Sequence, residues 1–238
     1  MKRLIIILVF IAFLSTKSKT QGCFLTTTQS PTIGTLYNNS GNPQLDNAIN
    51  IERNALSLFF GVNCSVFFYS DSPEMNAQFT PEINNPSFLN GTIVFGFKLL
   101  QEQLQKFNQF GGGGGIPFIF AHETGHAKAH QMGWHFGNNF SVKKDELFAD
   151  YCAGIFMHYR QYMTLTNIQS ALSTFFTLGD YQFTNPNHHG TPQERINAVT
   201  AGYNYMQYYK TNFPNIPFTD QTLFQSAVNY LNTYVSNF

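Results

Sequence analysis

The chain has 238 residues, of which 43% are hydrophobic and only 11% charged, with 26 Phe and 12 Tyr. That length suits one domain with a sizeable core, and the aromatic-rich, charge-poor composition excludes a disordered tail or acidic linker. A net charge of zero argues against a basic nucleic-acid binder. The balance is uneven along the chain. Lys2, Arg3, Lys17 and Lys19 fall in the first twenty residues, where there is no acid, and the remainder carries 9 bases against 13 acids, a formal charge of −4. No nucleic-acid partner is expected.

Lys2 and Arg3 precede an apolar run, Leu4 to Leu14, followed by small and polar residues. This is the pattern of a signal peptide, with a positive start and a short apolar centre. The run is shorter than the roughly 17–25 residues that span a bilayer. Residues 1–22 are therefore expected to be a signal peptide, cut after Ser18 or Gly22, and the protein secreted or periplasmic. A lipoprotein on Cys23 or an uncleaved anchor is the alternative. No membrane insertion is expected beyond this segment. An exported chain can pair cysteines. Of Cys23, Cys64 and Cys152, the first two are the favoured pair, and three separate thiols remains open.

Residues 23–43 are rich in Thr, Asn, Gly and Pro and read as irregular; residues 44–238 read as one domain. The spacing of Leu45, Ile49, Ala55, Leu56, Leu58 and Phe59 predicts an amphipathic helix from Gln44 to Phe60, stopped by Gly61. Cys64 to Tyr69 is β-branched and aromatic, hence a strand. Residues 70–88 hold three prolines and read as a loop or loose hairpin. Asn90-Gly91 is a turn signal, and Thr92–Phe95 reads as a strand at a sheet edge, able to take a peptide as an added strand. Phe97 to Phe107 is helical in character. The glycines 111–115 lack the Lys-Ser/Thr of a phosphate loop, so they read as a linker.

The second half is expected to be helical over 116–134, 141–162, 167–178, 191–209 and from about residue 219. Pro117 suits a first helical turn, Ser141 can cap, and Thr191-Pro192-Gln193-Glu194 is a capping box with proline at its first helical position.

His122-Glu123-Thr124-Gly125-His126 is an H-E-x-x-H pattern. Residues four apart share one helix face, so His122 and His126 can hold one zinc ion. Glu123 lies 100° around the helix, where a base acting on water would be wanted. His and Glu are too scarce here for that spacing to be expected by chance. Two histidines on a half-buried helix remain the plain alternative.

Catalytic zinc takes three protein ligands and keeps one open position. Glu146 and Asp150 are also four apart, in a stretch with Ala149, Ala153 and Gly154 that lets two helices approach closely. Glu146 is the candidate third ligand, and Asp150 the acceptor for the far N–H of a ligand histidine. A solvated acidic face is the alternative, and Lys143 and Lys144 would fit it. The longer H-E-x-x-H-x-x-G-x-x-H pattern is absent: Ala129 and Met132 stand at its Gly and His positions, and His130 and His135 miss the register. His188 and His189 sit just before the capped helix, a rigid place for a transition-state donor. Exposed loop histidines are the alternative there.

The combination resembles the gluzincin metallopeptidases, in which H-E-x-x-H is followed by E-x-x-x-D on a later helix. It looks most like the neutral zinc metallopeptidase and HtpX/CaaX-prenyl-protease group. The matching segments are His122 to His126, Glu146 to Gly154 and His189 to Arg195, with Leu58–Val62 and Gly91–Phe95 similar to the lead-in of soluble members. The resemblance implies a zincin-like α+β fold: a small β-sheet and a mostly helical C-terminal half. It implies Zn2+ held by His122, His126 and Glu146, with Glu123 as catalytic acid and base. His189 would steady the oxyanion and Arg195 support the site. The implied activity is hydrolysis of a peptide or protein substrate. A zinc-binding protein without proteolysis, chaperone-like, is the alternative. Thr124 departs from the bulkier apolar residue of many relatives, and membrane spans like those of the HtpX enzymes are lacking.

Overall fold

The computed structural model describes residues 21–22, 34–71, 75–110, 115–133, 141–161, 164–165 and 189–234. The expected signal peptide except its last two residues, Cys23, the helix over 167–178, His135, His188 and glycines 111–114 lie outside these residues. The described chain is a mixed α+β structure, mostly helical.

Helix α1 (Pro43–Phe60) starts where Asn42 caps it, the side-chain oxygen accepting from the N–H groups of Gln44 and Leu45 at 3.1 and 3.2 Å. It ends at Gly61, whose φ of 65° is left-handed, as the sequence suggested. Strands β2 (Ser65–Tyr69), β3 (Ala77–Thr80) and β4 (Thr92–Gly96) follow. A two-residue β1 (Gln21–Gly22) pairs antiparallel with β3, inside the segment expected to be signal peptide.

The sheet order is β1-β3-β4-β2, with β2 parallel to β4 and β3 antiparallel to it. This corrects the reading of Thr92–Phe95 as an edge. Strand β4 has partners on both sides and is buried throughout, so no added strand can join it. The continuous apolar run Ile93-Val94-Phe95 has the composition of a central strand buried on both faces. The segment expected to be a loop or loose hairpin supplies β3. Cys64 is a free buried thiol, with its Sγ 3.3 Å from the Asn90 carbonyl, and Cys23, its expected partner, lies outside the described residues.

Helix α2 (Phe97–Phe110) leaves β4 directly. Asp71 holds its start by accepting from the backbone N–H groups of Lys98 and Leu99 at 2.8 and 3.0 Å. Helix α3 (Gly115–Gln131) packs on the sheet, with Phe120 edge-on to Phe95, ring centres 5.4 Å apart. Helix α4 (Val142–Arg160) packs on α3, and α5 (Pro192–Asn212) on the far side of α4. Helix α6 (Asp220–Tyr234) closes the bundle. The capping box of α5 forms as its sequence suggested: Glu194 N–H donates to Thr191 Oγ1 at 3.2 Å and Thr191 N–H to Glu194 Oε2 at 2.8 Å.

Small residues set the helix spacings. A Cβ on Gly125 would stand 2.8 Å from Ala149 Cα, so α3 and α4 meet there with almost nothing between them. On the opposite side of α4, a Cβ on Gly154 would overlap the Val199 carbonyl of α5, and one on Gly202 the Tyr151 carbonyl. Buried Phe148, Ile155, Phe156 and Met157 fill the gaps around these contacts. Gly154→Ala is therefore expected to force α4 and α5 apart, costing about 1–3 kcal/mol as overpacked cores do. A urea denaturation midpoint equal to the native one would show that the crossing relaxes freely.

Candidate metal centre

Helix α3 is buried along its whole middle, from Phe118 to Ala129. The apolar lead-in Ile116 to Ala121 drives it inside, and the H-E-x-x-H residues go with it. His122, Glu123 and His126 are 1%, 0% and 6% exposed, and on α4 Glu146 and Asp150 are both 0% exposed. The picture of a solvated acidic face therefore does not hold. Lys143, which suggested it, is itself buried and pairs with Glu194 Oε1. That contact ties the start of α5 to the start of α4.

The structure brings together the three groups put forward as ligands. One donor atom from each of His122, His126 and Glu146 lies within 4.8 Å of the others. The Nε2 atoms of the two histidines are 3.1 Å apart. Glu146 Oε2 lies 3.5 Å from His122 Nε2, and Oε1 lies 3.8 Å from His126 Nε2. For bonds of about 2.0–2.1 Å in a tetrahedral zinc site, ligand atoms stand about 3.3 Å apart. These separations, the last two to different oxygens of Glu146, lie near that value, and two imidazole nitrogens with a carboxylate are donors zinc accepts.

The tautomers follow from the partners. His122 Nδ1 lies 2.8 Å from Asp150 Oδ1, and His126 Nδ1 lies 3.0 Å from Asp145 Oδ2. An ionised carboxylate only accepts, so both Nδ1 atoms carry hydrogen and donate. Both Nε2 atoms then turn lone pairs toward one another. At 3.1 Å that arrangement requires a positive charge between them, a proton or a metal ion. The pairings 122 with 150 and 126 with 145 also show that α3 and α4 run antiparallel.

Asp150 is held in turn. Arg195 Nε donates to its Oδ2 at 2.8 Å and Nη2 to its Oδ1 at 3.1 Å. Arg195 Nη2 also lies 3.3 Å from Glu146 Oε2, and His189 Nδ1 lies 3.2 Å from Glu146 Oε1. Arg195 lies in the first turn of α5 and His189 just before its cap. Gly190, at φ +90°, turns the chain between His189 and the cap Thr191. The sequence singled out His189 and Arg195, and the structure sets both against the Glu146 carboxylate. Asp145 as the partner of His126 was not foreseen. The only signal was an acid directly before Glu146, and nothing local connects it to His126. His130 lies exposed near the end of α3, its ring 5.8 Å from that of Phe79.

Charge dominates this pocket. Burial alone would push the His126 pKa down, but Asp145, Glu146 and Glu123 outweigh it and lift it to about 10. Burial is likewise outweighed at His122, where Asp150 raises the pKa. At Glu146 burial would raise the carboxyl pKa, yet bonds from His122 and His189 and the Arg195 charge hold it well below the usual range. No family model matches the chain, and neither curated proteins nor solved structures offer a match.

These shifts give the pH dependence of cation uptake a sign. A metal needs the imidazoles deprotonated at Nε2. With both pKa values raised, protons compete for that position through neutral pH, and the competition fades as pH rises toward about 10. Divalent-cation affinity is expected to rise with pH, and uptake at pH 7 to release protons. Titration calorimetry in two buffers of different ionisation heat measures that release; none at pH 7 would contradict this charge balance.

Proposed function

We propose that the protein is a zinc-dependent peptidase, hydrolysing peptide bonds in peptide or protein substrates. The observation that carries the reading is the convergence of His122 Nε2 and His126 Nε2, 3.1 Å apart, on the Glu146 carboxylate, whose Oε2 lies 3.5 Å from the first and Oε1 3.8 Å from the second, both rings turned by carboxylates so that their lone pairs face inward. His122, His126 and Glu146 would hold the metal. Zinc bound there would supply a Lewis acid for the substrate carbonyl and would lower the pKa of a bound water toward about 7.

The chain's own groups supply the rest. Glu123 follows His122 on α3 and is enclosed. Its carboxylate takes the proton of the attacking water and passes it to the leaving amine. His189, at 16% the most exposed of the imidazoles in the cluster, is the candidate donor to the oxyanion. Arg195 acts behind the site, aligning Asp150 and Glu146. The zincin-like architecture belongs to this proposal, supported by an active-site helix packed between a small sheet and further helices. The apolar N-terminal run supports action outside the cytoplasm after export. Among the described residues no helix is long and apolar enough to cross a membrane.

Two substitutions separate binding from chemistry. Glu123→Gln is expected to keep stoichiometric zinc by elemental analysis and to lose hydrolysis of a peptide library read by mass spectrometry. Retained cleavage would remove Glu123 from the mechanism. Glu146→Ala is expected to lose zinc, and full metal content in that variant would exclude it as a ligand. Native protein that binds zinc fully but cleaves nothing would favour the non-proteolytic, chaperone-like reading.

A further inference from the structure

We propose that Asp145 is a dedicated positioning residue for His126, a second carboxylate brace beyond the Glu146/Asp150 pair. The inference rests on the reading of His122, His126 and Glu146 as metal ligands. An imidazole can turn about its bond to Cβ, and only one orientation aims Nε2 at a shared point. A bond to Nδ1 removes that freedom and strengthens the nitrogen as a donor. His122 donates such a bond to Asp150, itself held by Arg195. For His126 the Nδ1 contact to Asp145 Oδ2 at 3.0 Å does the same work from one turn nearer the start of α4.

The competing role for Asp145 is generic. It lies in the first turn of α4, where any acid gains from the helix dipole. That role needs only the charge and leaves the side chain free to point to solvent. Here the carboxylate is turned inward, 13% exposed, onto a histidine that is 6% exposed. With Asp145 included, α4 presents three acids to α3: Glu146 toward the shared point, and Asp145 and Asp150 to the outer nitrogens of the two rings. Both ring orientations and the third donor then come from one helix surface.

Crossed substitutions separate the two roles. D145N keeps an acceptor oxygen at the same place and removes the charge. D145E keeps the first-turn charge and displaces the carboxylate by one methylene. D145A removes both. Each full-length variant is compared with native protein for zinc affinity by chelator competition, for the visible spectrum of its cobalt(II) form, and for thermal midpoint after chelation. D145A is expected to bind zinc about 10–100-fold more weakly. D145N should bind more tightly than D145A, with a cobalt spectrum of native shape. D145E should keep the native thermal midpoint yet show weakened affinity and an altered spectrum.

Native affinity in D145A would overturn the proposal. So would native affinity in D145E with D145N as weak as D145A, since charge alone would then account for the residue. Native protein that takes up neither zinc nor cobalt would defeat the metal-site reading itself, a result distinct from either of these.

Discussion

Helices α3 and α4 touch at Gly125 and Ala149 with nothing larger than a methyl group between them. At ordinary helix spacings of 8–10 Å, a carboxylate on one helix and imidazoles on its neighbour are separated by other side chains. Here the approach is close enough for Glu146 and the two histidines to share one small volume. Because the helices are antiparallel, the same contact matches Asp150 to His122 and Asp145 to His126. A shift of either helix by a fraction of a turn would break all of these contacts together. Gly154 and Gly202 bring α5 equally close on the other side of α4, which carries Arg195 and His189 to the Glu146 carboxylate.

Burying so many charges in a chain with only 13 acids needs a reason at each position. Glu52 pairs with Arg160 across α1 and α4, and Asp71 accepts backbone N–H groups at the start of α2. Both serve the fold. Among the described residues the other buried acids, Glu123, Glu146 and Asp150, lie on α3 and α4 around the paired histidines. Arg195 and the raised imidazole pKa values express one demand, for positive charge inside a negative pocket. A divalent cation meets it with fewer groups than a set of protons does. Lys128 and Lys143, both buried, do not serve this demand: each is engaged by an acid of a later helix, Asp220 and Glu194. They fasten the bundle around the site.

Much of the local structure was legible. Gly61 stops α1, and Thr191 to Glu194 open α5, because caps depend on groups within four residues. The histidines and the acids were legible for the same reason, since a spacing of four on a helix is a local fact. Strand β3 was not, because a four-residue strand among prolines owes its conformation to its pairing with β4. The central place of β4 could have been read from Ile93-Val94-Phe95, an apolar run too continuous for a strand with one wet side. The burial of Lys143 was not legible, because a lysine beside acids on a helix is usually solvated and its partner Glu194 lies some fifty residues away.

The amino-acid sequence alone determined which side chains are spaced to act together on a single helix: His122 with Glu123 and His126, and Glu146 with Asp150. Those spacings follow from helix geometry and need no partner. Tertiary structure decided which helix meets which, in what direction and how closely. From that came the meeting of Glu146 with two imidazoles, the brace of Asp145 on His126, and the placing of Arg195 behind Asp150. These depend on contacts between elements far apart in the chain, set by the volume of a few side chains such as Gly125 and Ala149, which no local pattern encodes.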